Sequence, residues 1–394
     1  MIKLFKYLIK SKLDFLLPEK KKILIYDQVN SQYFIKFIKK KNYQILYTRK
    51  EVINISIAIL TLVKHGIYNF NFNYKLEYIN FSNPNFIITM TDNDMDFLSY
   101  KFQNIKKIAI QNAYRRTAYP DIFSGIKYSK KKKYNLDYIF CFNKSIAKTY
   151  RKYLKCEAIV IGSLKNNLIR KSKRKKFPFL YISQYRDIVF KNKIIFPYND
   201  FKRNFDLLNF KKKNFINITT EKFYNDDKKI LNYVLKYLNA KKIELHILGV
   251  MKKNQLKEYK YFKNISSGFK FKFIKNDIGD NSYKSLDYYK NILGIDSTML
   301  YEAFSRGLNV GFFSVRQSSF KNHKVYFGYP FNKKSSGICW TFKNNYKEVK
   351  RILDYLIKTS DRKYKKDMKE YLFNLTYYDK NNVKFKNEIK KILN

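Results

Sequence analysis

One segment near the carboxyl-terminal end, residues 291–316, constrains the fold of this 394-residue chain more than any other part of it. A short apolar run ends at Gly294, and the Asp-Ser-Thr sequence that follows at 296–298 favours the start of a helix. A helical pattern comes next, Gly307 ends it, and a second apolar run begins at Val310. The segment therefore predicts a strand, a tight turn, a helix and a second, parallel strand.

The start of that predicted helix is a candidate phosphate site. Backbone N–H groups at a helix start have no carbonyl partner within the helix and favour an anion. Ligands of open α/β folds also bind beyond the carboxyl ends of the strands. We expect Asp296, Ser297 and Thr298 to lie at such a site. The alternative is that Ser297 and Thr298 only cap the helix, which is the usual role of these residue types.

Short apolar runs alternate with helical patterns through most of the chain, which is typical of βαβ units and a parallel sheet. Helices are predicted from 27 to about 40 and at 52–64, 142–154, 221–238, 346–357 and 361–375. The predicted strands are 23–26, 43–47, 85–90, 106–110, 137–142 and 158–161, followed by 179–182, 243–248, 271–274, 292–295 and 310–313.

The strands form two series, separated by a strongly basic stretch around 168–176. A chain of this length exceeds one ordinary core and suits two domains. We therefore predict an α/β protein with two Rossmann-like domains that face each other across a cleft. The predicted parts are a basic amphipathic segment at 1–22, a first domain at 23–167, a basic linker at 168–177, a second domain at 178–360, and carboxyl-terminal helices at 361–394.

The formal net charge of +51 favours anionic partners. Lysine is spread along the chain and no nucleic-acid-binding signature is present, so no specific nucleic acid is expected. The first seventeen residues alternate lysine with apolar residues and suit an interfacial membrane helix, although an ordinary surface helix fits equally well. No apolar run is long enough to span a bilayer. We expect a cytoplasmic protein that is peripheral to an anionic inner membrane.

Several kinds of site are disfavoured by the sequence. There are three cysteines and three histidines, and they show no metal-ligand spacing, so neither a disulfide framework nor a metal site is expected. No GxxxxGK[ST] loop, GxGxxG loop or GxSxG elbow occurs, which argues against P-loop, NAD-dependent and serine-hydrolase chemistry.

Polar residues follow almost every predicted strand. Since the carboxyl ends of parallel strands meet at one edge of a sheet, these residues predict a site in the cleft between the domains. Solvated loops are the alternative, because exposed backbone also favours polar side chains. The first-domain candidates are Asp27, Asp92, Asn93, Asp94, Gln111, Asn112, Arg115 and Ser163. The second-domain candidates are Arg186, Asp296, Ser297, Thr298, Glu302 and Arg316.

The order of the motifs resembles the GT-B glycosyltransferases, and more narrowly the bacterial transferases of capsule and lipopolysaccharide biosynthesis. The resemblance covers roughly residues 23 to 320. It rests on Thr-Asp-Asn at 91–93, Ile-Gln-Asn-Ala-Tyr-Arg at 110–115, Ile-Gly-Ser-Leu-Lys-Asn-Asn at 161–167, Ile-Ser-Gln-Tyr-Arg at 182–186, Gly-Ile-Asp-Ser-Thr at 294–298, Tyr-Glu-Ala at 301–303 and Arg-Gly at 306–307.

This resemblance implies transfer of a sugar from a nucleotide-sugar donor to a glycan or lipid-linked acceptor, without a metal or other cofactor. It implies that Ser297 and Thr298 hold donor phosphate, and that Arg186 or Arg316 neutralises the leaving group. Asp92 and Asp27 are the candidates for a general base, and Asp94 and Asp121 are weaker ones.

Glu302 has two readings. It could bind the ribose hydroxyls, or it could pair with Arg306 at i,i+4.

Other functions are compatible with this sequence. A glycerophosphate or polyol-phosphate transferase of the teichoic-acid type and a sugar-nucleotide 2-epimerase share the expected architecture. A basic, non-catalytic protein that binds polyanions is the alternative from another class.

Overall fold

The computed structural model of the protein describes residues 11–115, 134–171, 177–185, 194–196, 218–251, 254–276, 281–295, 297–315 and 327–394. Within these residues, two parallel sheets dominate the architecture, and each has helices packed against it. No helix in these ranges is both long enough and apolar enough to cross a membrane.

The first sheet has six strands, all parallel, in the order β3-β2-β5-β6-β7-β8. Its strands are nearly continuous runs of apolar residues because both of its faces are covered. They are β2 (Ile23–Tyr26), β3 (Tyr43–Leu46), β5 (Phe86–Thr89), β6 (Lys106–Ile110), β7 (Tyr138–Cys141) and β8 (Glu157–Val160). A separate parallel pair joins β1 (Lys12–Asp14) to β4 (Val52–Asn54).

The helices of this first part connect those strands. Several begin at a capping side chain, such as Asn54 before α1 and Asn143 before α4. They are α1 (Ile55–His65), α2 (Phe70–Ser82), α3 (Met95–Ser99), α4 (Lys144–Tyr153) and α5 (Leu164–Leu168).

The second sheet has seven strands in the order β13-β12-β9-β14-β15-β17-β16, and all its pairs except β16–β17 are parallel. They are β9 (Phe177–Ile182), β12 (Leu245–Leu248), β13 (Lys272–Ile274), β14 (Tyr289–Gly294), β15 (Asn309–Phe313), β16 (Ser336–Gly337) and β17 (Trp340–Thr341). A two-stranded antiparallel pair, β10 (Ile194–Phe196) and β11 (Ile218–Thr219), lies outside it.

The helices of the second part follow the same alternation. Gly294, at the end of β14, lets the next helix approach closely, because a Cβ there would lie 3.1 Å from Leu300. The helices are α6 (Thr220–Ala240), α7 (Gln255–Ile265), α8 (Asn281–Leu286), α9 (Thr298–Ser305), α10 (Tyr346–Lys358), α11 (Asp361–Asp367), α12 (Lys369–Leu375) and α13 (Val383–Leu393).

The last helix, α13, returns to the first sheet rather than staying with the second. Phe385 and Ile389 are buried in a cluster that contains Ile23, Ile108 and Phe140 of the first sheet. The chain approaches that sheet along Gly162, whose backbone pairs with Tyr378. The carboxyl-terminal segment therefore ties the two halves of the molecule together.

Both sheets contain a point where the strand order reverses. In the first sheet this point lies between β2 and β5, and in the second it lies between β9 and β14. At such a point the connections on either side leave in opposite directions and open a crevice beyond the carboxyl ends of the strands. Asp27 follows β2, and the 297–298 turn follows β14, so both predicted sites begin at these crevices.

Most strands confirm the predicted order, with shifts of one to three residues at their ends. The predicted helix at 27–40 is wrong. Short 3₁₀ turns occupy Ser31–Tyr33, Ile35–Phe37 and Lys40–Asn42, because Phe34 and Ile38 leave helical backbone geometry between them. The helix predicted at 361–375 is two helices that meet at Met368. The proposed domain boundaries stay predictions.

Candidate functional site

The start of α9 lies where the two halves of the molecule touch. The Ser297 hydroxyl accepts a hydrogen bond from the Met299 N–H at 3.2 Å and so caps the helix. The Thr298 hydroxyl oxygen accepts one from the Tyr114 N–H at 3.1 Å, and Tyr114 follows β6 of the first sheet. Both Ser297 and Thr298 are half-buried. Ser297 therefore caps α9, and this helix start lies at the contact between the two halves.

An aromatic stack extends this contact. The rings of Tyr114 and Tyr301 lie parallel, with 3.5 Å between their centroids and 8° between their planes. Tyr301 also stacks near Phe327 of the second core, and its hydroxyl accepts a hydrogen bond from the Gly328 N–H. The loop after β6 is thus held against the first turns of α9 by both backbone and ring contacts.

Asp27 lies at the reversal point of the first sheet and is 2% exposed. Its Oδ2 accepts hydrogen bonds from the Arg49 guanidinium at 3.0 and 3.1 Å and from the Thr91 hydroxyl at 3.0 Å. The Arg49 side chain is 53% exposed, so this ion pair stands at the edge of the crevice. The carboxylate therefore faces a cation that solvent can reach.

Asp92 is more completely enclosed than Asp27. Arg115 donates to both of its oxygens, at 2.6 and 2.8 Å, and the Tyr150 hydroxyl donates at 2.6 Å. The Asn112 N–H supplies a fourth hydrogen bond at 3.2 Å. Burial and the neighbouring carboxylate raise the pKa of Tyr150, which keeps its donor proton. Asp92 therefore holds the 111–115 loop in place. It could accept a proton only if Arg115 stopped donating to one of the two carboxylate oxygens.

The other first-sheet candidates gather near the same loop. Gln111 is buried and bridges two strand ends, since its amide donates to the Ala113 carbonyl and accepts from the Phe142 N–H. Asn112 accepts a hydrogen bond from Arg115 at 2.8 Å, and Asn93 is half-buried beside Asp92 in the chain. Asp94 instead caps α3 by accepting from the Phe97 N–H.

Glu302 forms a second bond between the halves. One oxygen accepts from the Ser163 hydroxyl at 2.5 Å, across from the first sheet, and the other accepts from the Tyr283 hydroxyl at 2.9 Å. Burial raises the pKa of the Glu302 carboxyl, and the two hydrogen bonds act against that shift. In this structure both oxygens are therefore occupied by protein groups.

The i,i+4 pairing of Glu302 with Arg306 is not formed, which corrects that reading. The Arg306 guanidinium makes a bidentate ion pair with Asp287, with Nε 2.9 Å from Oδ1. Arg306 also donates to the carbonyls of Asn166 and Ile169 of the first half. Its side chain is fully buried, and a buried guanidinium needs a charged partner that can take both donors.

A buried carboxylate also shapes the turn after β12. Glu258 accepts hydrogen bonds from the backbone N–H groups of Val250 and Met251 and from the Ser183 hydroxyl. Ser183 follows β9, one of the two strands at the reversal point. This network holds the strand ends beside the 297–298 turn in place.

Three predicted residues, Arg186, Asp296 and Arg316, lie outside the described residues, as does Asp121. Of the others, the structure brings Ser297, Thr298, Glu302 and Ser163 to the contact between the halves. Gln111, Asn112 and Arg115 belong to the loop that meets them and that Asp92 binds, and Asp27 is linked to Thr91, the residue before Asp92, by a hydrogen bond. In the described ranges, no cluster of three or more His, Cys, Asp or Glu side chains could hold a metal ion.

Sequence reasoning missed the aromatic residues that join the halves. Tyr114 and Tyr301 stand inside motifs that were recognised, but only the polar members of those motifs were chosen. Asp287, which neutralises Arg306, was also missed. Asn166 lies in the 161–167 motif, and its partner across the contact is the Ser305 hydroxyl at 3.0 Å. No local pattern marks such long-range partners, whereas an aromatic residue within a strand-end motif is a usable signal.

The family comparison decides the biological context. Residues 108–393 match the family described as "putative O-antigen biosynthesis protein". The chain belongs to this family. A search of curated proteins found no match.

Solved structures with a similar fold include a UDP-GlcNAc 2-epimerase and a wall teichoic acid polymerase. S. aureus MnaA with UDP has a TM-score of 0.52 and 13% identity, over 95% of this chain and 97% of that one. Methanocaldococcus jannaschii UDP-GlcNAc 2-epimerase with UDP-GlcNAc and UDP has a TM-score of 0.51 and 11% identity, over 94% and 99%. A variant of the wall teichoic acid polymerase TagF soaked with CDPG has a TM-score of 0.51 and 11% identity, over 95% and 89%.

These likenesses establish the fold. The protein has the two-domain GT-B architecture, as the motif order predicted, and it is a surface-carbohydrate biosynthesis protein.

Proposed function

We propose that this protein is a glycosyltransferase that moves a sugar from a nucleotide donor to a surface polysaccharide or lipopolysaccharide acceptor. The observation that carries the proposal is the position of α9. Its amino end lies at the reversal point of the second sheet and contacts a loop of the first sheet. Family membership and the nucleotide complexes of similar folds support the same proposal.

In this proposal, the donor phosphates lie against the first turn of α9. The helix dipole favours negative charge there, and the Met299 N–H would exchange the Ser297 hydroxyl for a phosphate oxygen. Ser297 and Thr298 shape the turn. Arg186 and Arg316 follow β9 and β15 in the sequence and are proposed to neutralise charge on the leaving nucleotide. Asp296 is proposed to lie at the same turn.

The two first-domain carboxylates take different roles. Asp27 is our candidate for the base that accepts the proton of the acceptor hydroxyl, because its partner Arg49 is half-exposed and can swing away. Asp92 has a buried partner, with the Arg115 side chain only 11% exposed, and is proposed to position the 111–115 loop. The acceptor would then lie beside the first sheet, near Asn93, Asn112 and Ser163.

The Glu302 carboxylate is proposed to act as a tie between the domains. Contact with a ribose would require it to exchange Ser163 or Tyr283 for a substrate hydroxyl. The donor therefore competes with the contact between the domains, which fits a cleft that opens and closes around its ligand.

A thermal-shift measurement with UDP, CDP, GDP and CMP compounds tests the proposal. We expect one nucleotide class to stabilise the protein, by about 2.7 kcal/mol at a hundredfold excess over Kd. Stabilisation by CDP-glycerol alone would support polyol-phosphate transfer instead. No response to any nucleotide would contradict the proposal and support the polyanion-binding alternative.

The Thr298→Asp variant tests the location of the site. Aspartate is favourable in a first helical turn and keeps an oxygen for the Tyr114 N–H, yet it repels phosphate. We expect nucleotide stabilisation to vanish while the unfolding temperature without ligand stays near the wild-type value. Ser360→Asp, at the start of α11, is the matched control, and it should respond to nucleotide as the wild type does.

A further inference from the structure

Apolar side chains are exposed together on one face of the first domain. Three belong to the segment before β2, namely Phe15, Leu16 and Leu17, and they are 58–78% exposed. Three belong to α1, namely Ile59, Leu62 and Val63, and two to the turn after it, Ile67 and Tyr68. Val63 and Tyr68 are 79% and 80% exposed. We call these eight residues the apolar face.

The two parts of the apolar face are joined by hydrogen bonds. β1 pairs with β4 up to the residue where α1 begins. The Asn54 side chain donates to the Leu16 carbonyl at 2.5 Å, and the Ser56 hydroxyl donates to the Phe15 carbonyl at 3.4 Å. Phe15 and Leu16 are therefore fixed beside the first turn of α1, the helix that carries Ile59, Leu62 and Val63.

In helix α1, the exposed apolar residues lie on one side and the buried residues on the other. Ile57 and Thr61, on the opposite side of α1, are almost completely buried. Ile59, Leu62 and Val63 follow at i, i+3 and i+4, which is the spacing of an apolar helix stripe. A soluble surface helix carries polar residues at such positions, so the stripe marks a contact surface.

Charge selects the partner of this surface. Lys12 and Lys20 are exposed in the same segment as Phe15, Leu16 and Leu17, whereas Glu19 is paired with Lys21. A second copy of this chain would bring the same lysines against each other, on a protein with a net charge of +51. An anionic lipid surface instead takes apolar side chains into its interface and attracts the surrounding lysines.

We propose that the apolar face docks the protein on an anionic phospholipid bilayer, with α1 and the 15–17 segment lying in the lipid interface. This inference goes beyond the transfer reaction and does not depend on any donor. It assigns membrane contact to folded residues of helix α1 and of the 15–17 segment that is bonded to it.

Vesicle co-sedimentation tests the proposal. The full chain is mixed with phosphatidylcholine vesicles that contain or lack phosphatidylglycerol. We expect strong binding to the anionic vesicles, and a roughly tenfold or larger loss of binding in a Val63→Asp/Ile67→Asp variant. Leu256→Asp is the matched control, because Leu256 is 63% exposed on α7, outside the apolar face, and should bind as the wild type does.

Two results would overturn the proposal. One is wild-type binding by the Val63→Asp/Ile67→Asp variant, which would leave the lysines or the amino-terminal residues as the anchor. The other is a dimer in light scattering that the double variant dissolves while vesicle binding is unchanged. Since the substituted side chains are exposed, circular dichroism should show that the variants fold, and the nucleotide response is measured separately.

Discussion

Two carboxylates of similar burial differ in how their arginine partners meet solvent. Asp92 is bound by an Arg115 side chain that is 11% exposed, whereas Asp27 is bound by an Arg49 side chain that is 53% exposed. Removing a buried partner leaves an uncompensated charge, while a solvated guanidinium can return to water. Replacing the carboxylate with an amide is therefore expected to destabilise the protein more at Asp92 than at Asp27.

The Asp92→Asn variant is expected to lose about 3–5 kcal/mol of stability, because the Arg115 guanidinium stays buried without its anion. Asp27→Asn is expected to lose about 1 kcal/mol and to lower turnover by roughly a hundredfold or more, as befits a general base. Denaturant unfolding and an assay with the identified donor measure the two effects. A stable Asp92→Asn protein without activity would reverse the two assignments.

At the scale of elements, strand β6 carries a lysine in the core. Lys107 is 1% exposed, and its amine donates to the carbonyls of Leu98 and Tyr100 and to the Asn135 side chain. Burial lowers the pKa of Lys107 to about 7, and the nearby Asp137 carboxylate opposes the shift. The amine ties β6 to the end of α3, and the three hydrogen bonds use all three N–H groups of its protonated form.

This lysine predicts a pH dependence. The unfolded chain keeps the Lys107 proton to about pH 10, whereas the folded chain releases it near pH 7. The unfolded state therefore binds more protons between these values, and stability rises with pH there. The difference in unfolding free energy between wild type and Lys107→Met should grow by up to about 2 kcal/mol from pH 7 to pH 9. A constant difference would contradict the shifted pKa.

The elements that the sequence predicts well are those with strong local patterns. β6 agrees to the residue, because an apolar run there is bounded by charges and by Gln111. Helix α2 escaped prediction, because Phe70–Ser82 alternates aromatic and polar residues and so resembles a strand. The helix expected after Asp27 failed because no local pattern reveals the breaks at Phe34 and Ile38.

In the candidate site, too, the sequence predicted the residues at strand ends but not their distant partners. Strand ends placed Thr298, Glu302 and Ser163 at one cleft, because parallel strands end together. Their partners were hidden, since the Tyr114 contact to Thr298 spans 184 residues of sequence. The carboxylate of Glu302 likewise accepts a hydrogen bond from Ser163 and does not pair with Arg306, its neighbour on the same helix. The relative position of the two domains is set by how they pack, and the local spacing of apolar residues along the sequence does not predict it.

At the scale of the whole molecule, the two domains are joined by several kinds of contact. The 111–115 loop meets α9, Glu302 meets Ser163, and Arg306 donates to first-domain carbonyls. The carboxyl-terminal chain then returns, where Asn382 bonds Asn167 at 2.8 Å and α13 enters the first core. These contacts join the two halves at the loop after β6, at α9 and at the carboxyl-terminal helix, and the proposed transfer would need the acceptor and the donor to be held near this junction.

The most direct test of the central claim is a crystal structure of the protein soaked with the nucleotide that stabilises it. The account predicts that the phosphates lie between the domains, within hydrogen-bond distance of the backbone N–H groups at 297–299, with Tyr114 displaced or repacked beside them. Phosphates bound elsewhere, with the Tyr114 contact to Thr298 unchanged, would contradict it.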